Sequence, residues 1–309
     1  MAMTDDEAAD YDELAFLQTY AEYEGIPWKG RPEVVRHSYA VAPDQRVSAL
    51  VWGSGEPELV LFHGGGQNAH TWDSVAMALD RPLVAVDLPG HGHSDWREDK
   101  EYSPQANAAA VAEVVAQAAP RAQVVVGMSM GGLTTIHLAA HWPDLVRRAV
   151  IVDVLPATGE RTQAMTQAER GAVSLVGGPP IYDSFDAMLQ ATAAAVPGRP
   201  IESFRPGVLH NAKRLEDGRW AWRYDRLRRE GGEPLDFSSL WDDISVIKAP
   251  LMLVRGGRSV FVHDDDEAKM RELQPSARVE HVDGAGHSVQ SDRPVVLAGL
   301  ITDFLASTG

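Results

Sequence analysis

Apolar and polar residues follow three rhythms along this chain. Between residues 5 and 24, Tyr11, Leu14, Leu17 and Ala21 recur at spacings of three and four, and acids fill many of the other positions. That pattern predicts an amphipathic helix. Phe16, Tyr20 and Tyr23 add a second apolar line, and Gly25 and Pro27 end the segment. Residues 1–28 therefore read as a helical arm that either lies on its own subunit or grips a neighbour in a homo-oligomer. From Val34 to Val41 and from Val47 to Trp52 the period shortens to two, as in half-buried antiparallel strands. Short unbroken apolar runs come next: Leu59–Phe62, Leu83–Val86, Val124–Val126, Ala149–Val152 and Leu251–Val254. Such runs fit strands covered on both faces. Helical stretches over 70–79, 104–119 and 131–141 lie between most of them. Strand alternating with helix predicts an α/β fold, a mostly parallel central sheet with helices on both faces.

The interval from Asp153 to Leu251 is too long for one crossover. Gly177-Gly178-Pro179-Pro180 and Pro197-Gly198-Arg199-Pro200 punctuate it, and Leu209–Leu215 and Arg219–Tyr224 flank Asp217-Gly218 as a hairpin would. Residues 156–240 are expected to form a lid inserted into a core made of 29–155 and 241–309. Met165, Phe185, Met188, Phe204, Leu209, Trp220 and Trp222 either face the core as a greasy pocket or form the lid's own small core. Arg219, Arg223 and Asp225 are expected to brace the lid, and Arg226, Arg228 and Arg229 to make a solvated face.

Composition narrows the classes. With 28 Lys and Arg against 44 Asp and Glu, the net charge is −16 over 309 residues, which repels nucleic acid and anionic membranes. Eight of the acids precede Lys29, the first basic residue. No run of 18 apolar residues occurs, and the start is acidic rather than basic and apolar, so a cytoplasmic protein without a spanning helix is expected. Cysteine is absent, which removes disulfides, thiolate metal sites and a thiol nucleophile together.

The chemistry concentrates after three apolar runs. Gly127-Met128-Ser129-Met130-Gly131 joins a strand to a helix, a setting in which small residues two places either side let the backbones approach and lift the serine hydroxyl above the sheet. The N–H of Met130 then points to where an oxyanion would form. His63-Gly64-Gly65-Gly66 follows Leu59–Phe62 and can supply a second donor, placed at Gly65 with Gly66 as the alternative. His63 is expected to brace this loop.

With Asp87-Leu88-Pro89-Gly90-His91-Gly92-His93-Ser94 after the run Leu83–Val86, the chain resembles the α/β-hydrolase superfamily over most of residues 34–309. The resemblance implies a nucleophile, an acid and a histidine in chain order, structural roles for His91 and His93, and neither metal nor organic cofactor. Ala277–Val282 reads as the last strand, and Gly284-Ala285-Gly286-His287-Ser288 precedes a helix over 293–306, so His287 is the candidate base. His281 is expected to pack within the strand, and His137, His141, His210 and His263 have no supporting context. The acid departs from the common pattern, because Ser259 holds the usual aspartate position after Leu251–Val254. A second position in the superfamily follows the strand before the lid. Asp153 stands there, 24 residues after Ser129, and its spacing resembles that of haloalkane dehalogenases with a relocated acid and of zearalenone lactone hydrolases. Asp264, with Asp265 and Asp266, is the fallback, although these acids also suit a helix start.

A serine nucleophile favours acyl transfer to water. The expected reaction is ester cleavage of a bulky hydrophobic lactone or ester, of zearalenone type by resemblance to the lactone hydrolases, with Gly66, Leu155, Trp220 and Trp222 as candidate substrate contacts. A C–C bond hydrolase of aromatic degradation and a cofactor-free perhydrolase share the machinery. A ligand receptor without turnover is the reading from another class.

Overall fold

Each apolar run forms a strand whose alternate side chains leave the sheet on opposite faces, and both faces are covered. The computed structural model describes residues 4–159, 161, 179–195, 200–225 and 236–307. Met165, Gly177-Gly178, Pro197–Arg199, Arg226, Arg228 and Arg229 lie outside them. Val60, Phe62, Val84, Val86, Val125, Ala149, Ile151, Leu251 and Leu253 enter one hydrophobic layer. Their neighbours Leu59, Leu61, Leu83, Ala85, Val124, Val126, Val150, Val152, Met252 and Val254 enter the other. Burying such a side chain contributes about 1.5–3 kcal/mol, so a polar residue within these runs would be costly on either face.

The central sheet has eight strands in the order β1-β2-β4-β3-β5-β6-β10-β11. The strands β1 (Val34–Ala42) and β2 (Gln45–Trp52) pair antiparallel, and β2 also runs antiparallel to β4 (Leu83–Val86). The strands β3 (Leu59–Phe62), β5 (Val124–Met128), β6 (Ala149–Val152), β10 (Leu251–Gly256) and β11 (Arg278–Val282) continue it in parallel. Helices α3 (Asp73–Leu79), α4 (Pro104–Ala118) and α5 (Met130–His141) fall where the periodicity predicts them, as does the last helix, Pro294–Ala306. Ser103 caps α4 through the N–H of Ala106, with Pro104 in the first turn. Among the described residues, no helix is long and apolar enough to cross a membrane.

The insertion between β6 and β10 builds a separate three-stranded sheet, β7 (Ile181–Tyr182), β9 (Trp220–Trp222) and β8 (Ala212–Arg214), in that order. The hairpin at Asp217-Gly218 forms, but its strands are shorter than expected because Leu209 belongs to a preceding helix, Arg205–Asn211. The bracing roles are visible. Arg223 Nε donates to the Ala212 carbonyl, and Asp225 accepts from Tyr102 and Lys100, each at 2.7 Å.

The N-terminal segment is not the single helix expected. It forms α1 (Asp5–Ala9) and α2 (Leu17–Glu24), separated where the Asp12 side chain accepts from the N–H of Leu14 at 3.0 Å. That local bond competes with helical pairing. The split lets the segment serve two surfaces of its own chain: Leu17 is buried against the core, while Ala8, Tyr11 and Phe16 join the insertion's cluster.

Charges and stacked rings bind these parts. Glu13 pairs with Arg36 on β1 at 2.7 Å and with His70 at 3.1 Å, and Arg36 reaches the buried Asp87 at 2.7 Å. His70 stacks on His210 of the insertion with centroids 3.9 Å apart, and Tyr11 meets His210 Nδ1 at 2.9 Å. Burial alone would lower the His70 pKa, but Asp73 and Glu13 outweigh it and hold it up to about 9. The corresponding stabilisation, roughly 3 kcal/mol, is complete below the ordinary imidazole range and is lost as pH rises through about 9. Between pH 7 and 10 the wild-type melting temperature should therefore fall by roughly 5 °C more than that of His70→Gln, at about 2 °C per kcal/mol for a chain this long. Parallel pH curves from calorimetry would show that His70 is not the charged centre of this network.

Candidate active site

Ser129 is the single residue between β5 and α5, and it takes a left-handed backbone, φ 51° and ψ −118°. For a side-chain-bearing residue this costs about 1–3 kcal/mol, and the surrounding packing maintains it. A Cβ on Gly127 would overlap the Gly131 carbonyl, and one on Gly131 would overlap the carbonyls of Phe62 and His63. Glycine at both positions lets strand, turn and helix close on one another. The N–H of Ser129 donates to Val152 at 3.1 Å, and that of Gly131 to His63 at 3.0 Å, tying the turn to β6 and to the glycine loop after β3.

His287 and Asp153 meet this serine. His287 Nε2 lies 3.1 Å from Ser129 Oγ, and Nδ1 lies 2.8 Å from Asp153 Oδ2. Asp153 follows β6 with φ 53° and is wholly buried. Its Oδ1 accepts from the N–H of Gly256 at 2.8 Å, and its Oδ2 from the hydroxyl of Ser259 at 2.5 Å. A buried carboxylate without partners costs several kcal/mol, and here three donors satisfy it. The Phe261 ring lies on the imidazole, centroids 4.0 Å apart at 34°. An imidazole held between a hydroxyl and a carboxylate can take the hydroxyl proton as its positive charge forms beside Asp153.

The glycine loop runs beside the serine: a Cβ on Gly64 would come within 3.2 Å of Ser129 Cβ. The Gly64 N–H is taken by Gln67 at 3.0 Å, which leaves Gly65 as the next donor on the loop, with Gly66 beyond it at φ 73°. Met130 opens α5, so its N–H has no acceptor one turn back. His63 is a brace, as expected. Its Nε2 accepts from the N–H of Leu88 at 2.9 Å and its Nδ1 meets the Gly64 carbonyl at 2.7 Å. Burial, reinforced by the neighbouring His91, lowers its pKa to about 3 and keeps it neutral. Burial likewise lowers His91, and brings His93 down to about 4.

Other expected residues are placed elsewhere. Asp264 is exposed and pairs with Arg255 at 2.6 Å, and Asp266 caps the start of its helix at the N–H of His263, so neither reaches His287. His281 is on β11 but faces solvent, bonded to Glu267 at 2.7 Å, because the strand is a sheet edge. Leu155 is enclosed in the core. Trp220 and Trp222 contact Phe185, Tyr182 and Tyr224 in the insertion's own core, and no described contact joins them to Ser129. Phe261 and Gly256 had no signal in the sequence. Ser259 had one, as the hydroxyl in the usual place of the acid, but its role as a donor to that acid needed the fold.

Comparison with known proteins identifies the family. The family described as "Alpha/beta hydrolase family" matches residues 59–300. An esterase of Mycobacterium tuberculosis, Rv0045c, is 48% identical over 98% of this chain and 99% of its own. A crystal structure described as a novel esterase, Rv0045c, from that organism superposes with a TM-score of 0.84 at 46% identity, covering 96% of this chain and 99% of the other. The mouse sn-1-specific diacylglycerol lipase ABHD11 (Mus musculus) is 29% identical over 81% of each chain. With the strand order, the strained serine turn and this match across most of its length, the chain belongs to the alpha/beta hydrolase family.

Proposed function

We propose that this chain is a carboxylic ester hydrolase that works through a serine nucleophile. The unbroken hydrogen-bonded line from Ser129 through His287 to Asp153 carries the reading. Similarity to an esterase along nearly the whole chain supports it. Ser129 attacks the ester carbonyl while Nε2 of His287 takes its proton, and Asp153 stabilises the imidazolium and holds Nδ1–H toward itself. The oxyanion settles between the N–H groups of Gly65 and Met130. His287 returns the proton to the leaving oxygen, and the acyl group stays on Ser129. Water, deprotonated by His287, then releases the acid. Side chains and backbone of this chain carry every step.

The substrate class is a hydrophobic ester, in keeping with a relative named as a diacylglycerol lipase. The narrower reading, a macrolactone of the zearalenone type closed in by the insertion as a lid, rests on the position of Asp153. The insertion's tryptophans no longer support it, because they fill its own core.

Ser129→Ala should abolish hydrolysis of aryl esters, and Asp153→Asn should lower kcat by about 10⁴-fold with the fold intact. Steady-state kinetics with circular dichroism read both, and near-normal turnover in Asp153→Asn would remove it from the mechanism. Ser259→Ala removes one bond to the carboxylate, a loss of about 1–2 kcal/mol. It should lower kcat roughly tenfold at unchanged KM, with Ser259→Thr restoring it. A change in KM with kcat unaltered would give Ser259 a different role. Chromatography of zearalenone incubated with intact protein and with Ser129→Ala decides the substrate. Loss only with intact protein supports the lactone reading. Survival in both, beside cleavage of simple aryl esters, retires it, and cleavage of a vinylogous diketone with inert esters would instead identify a C–C bond hydrolase.

A further inference from the structure

Eight and twelve residues after Ser129, toward the other end of α5, His137 and His141 stand one turn apart and share one carboxylate. Positions four apart lie on the same helix face, and Asp243 comes to that face from the packed helix Leu240–Val246. His137 Nδ1 lies 2.6 Å from Asp243 Oδ2, and His141 Nε2 lies 2.9 Å from Asp243 Oδ1. The two rings are 4.1 Å apart, centroid to centroid. The side chains of His137 and Asp243 are 15% and 13% exposed and that of His141 is 51% exposed, so the cluster is held firmly yet open on one side.

We propose that His137, His141 and Asp243 form a binding site for a divalent transition-metal ion of the zinc class. Two imidazole nitrogens and one carboxylate suit Zn²⁺, Co²⁺, Ni²⁺ or Cu²⁺. Ca²⁺ and Mg²⁺ prefer sets made of oxygen alone. Three protein ligands leave a fourth, solvent-facing position for water. Bonds of about 2.0–2.2 Å to one ion require the donor atoms to stand about 3.3 Å apart. The present separations of 2.6 and 2.9 Å reach that by a small side-chain rotation. Each imidazole coordinates as its neutral form through the nitrogen now facing Asp243, with its proton on the other ring nitrogen.

A second trio, His70, Asp73 and His210, has its donor atoms as close together but opposes a cation. His70 is held protonated there, its ring is stacked flat on His210, and Arg36 stands 3.4 Å from its Nε2. At the α5 site, Asp243 faces two imidazoles, and no Lys or Arg is bonded to the trio among the described residues. An ion there would clamp α5, which starts directly after Ser129, to the helix that leads back from the insertion into β10.

The test is calorimetric titration of chelator-stripped full-length protein with ZnCl2. Wild type and His287→Ala should each bind one ion with a dissociation constant in the micromolar range. His141→Ala, at a half-exposed position, should bind at least tenfold more weakly, and His137→Ala/His141→Ala should not bind. Hundredfold saturation should raise the wild-type melting temperature by about 5 °C and leave the double variant unmoved. Cobalt should give visible absorption in the wild type that His141→Ala loses. Equal zinc affinity in the double variant, loss of binding only in His287→Ala, or no binding to the wild type would each overturn the site.

Discussion

The site depends on one buried carboxylate. Asp153 sits at the end of β6 where water does not reach, and it is satisfied from three directions: the N–H of Gly256 at the end of β10, the hydroxyl of Ser259 just after it, and the imidazole of His287 beyond β11. Withdrawing those donors would strand a charge at a cost of several kcal/mol. The loops after three neighbouring strands are therefore constrained to converge on one atom group. The orientation of the imidazole follows, and so does its reach to Ser129. The hydroxyl at position 259 takes part in this convergence as a donor to the carboxylate that β6 presents to the histidine.

A similar principle joins the outer parts. Arg36 is surrounded by Glu13 and Asp87, and Glu13 also holds His70, whose ring lies against His210. Core, insertion and N-terminal segment thus share one network of charges and stacked rings, with Asn68 and Asn211 adding a direct bond of 2.8 Å. The acidic start of the chain is partly explained by this arrangement: Glu13 neutralises buried cations and Asp6 pairs with Arg214 on β8, while other acids remain at the surface.

Most of the fold was legible because its signals are local. Unbroken runs such as Leu59–Phe62 can be satisfied only with both faces covered, and the alternation of β1 marks a sheet edge with one wet face, whereas β2, whose alternation reads the same way, is buried from Val47 to Leu50 because it lies between β1 and β4. The elbow was legible for a steric reason, since Gly127 and Gly131 stand where a Cβ would strike backbone. The N-terminal break was not, because helical spacing continues through Asp12, whose side-chain bond to Leu14 competes with helical pairing. The tryptophans at 220 and 222 read equally well as pocket or core, because an apolar side chain carries no mark of which neighbour will cover it.

Ser129, His287 and the glycines around them were determined by the sequence itself, since each stands at a junction whose backbone geometry only a few residue types allow. Which of Asp153, Asp264 and Asp266 lies against His287 follows from tertiary structure alone. All three can end a strand or begin a helix, and chain position does not say which carboxylate will be enclosed with donors from three other segments. The same holds for His137, His141 and Asp243, ordinary residues of two helices until packing sets their nitrogens and oxygens within hydrogen-bond distance.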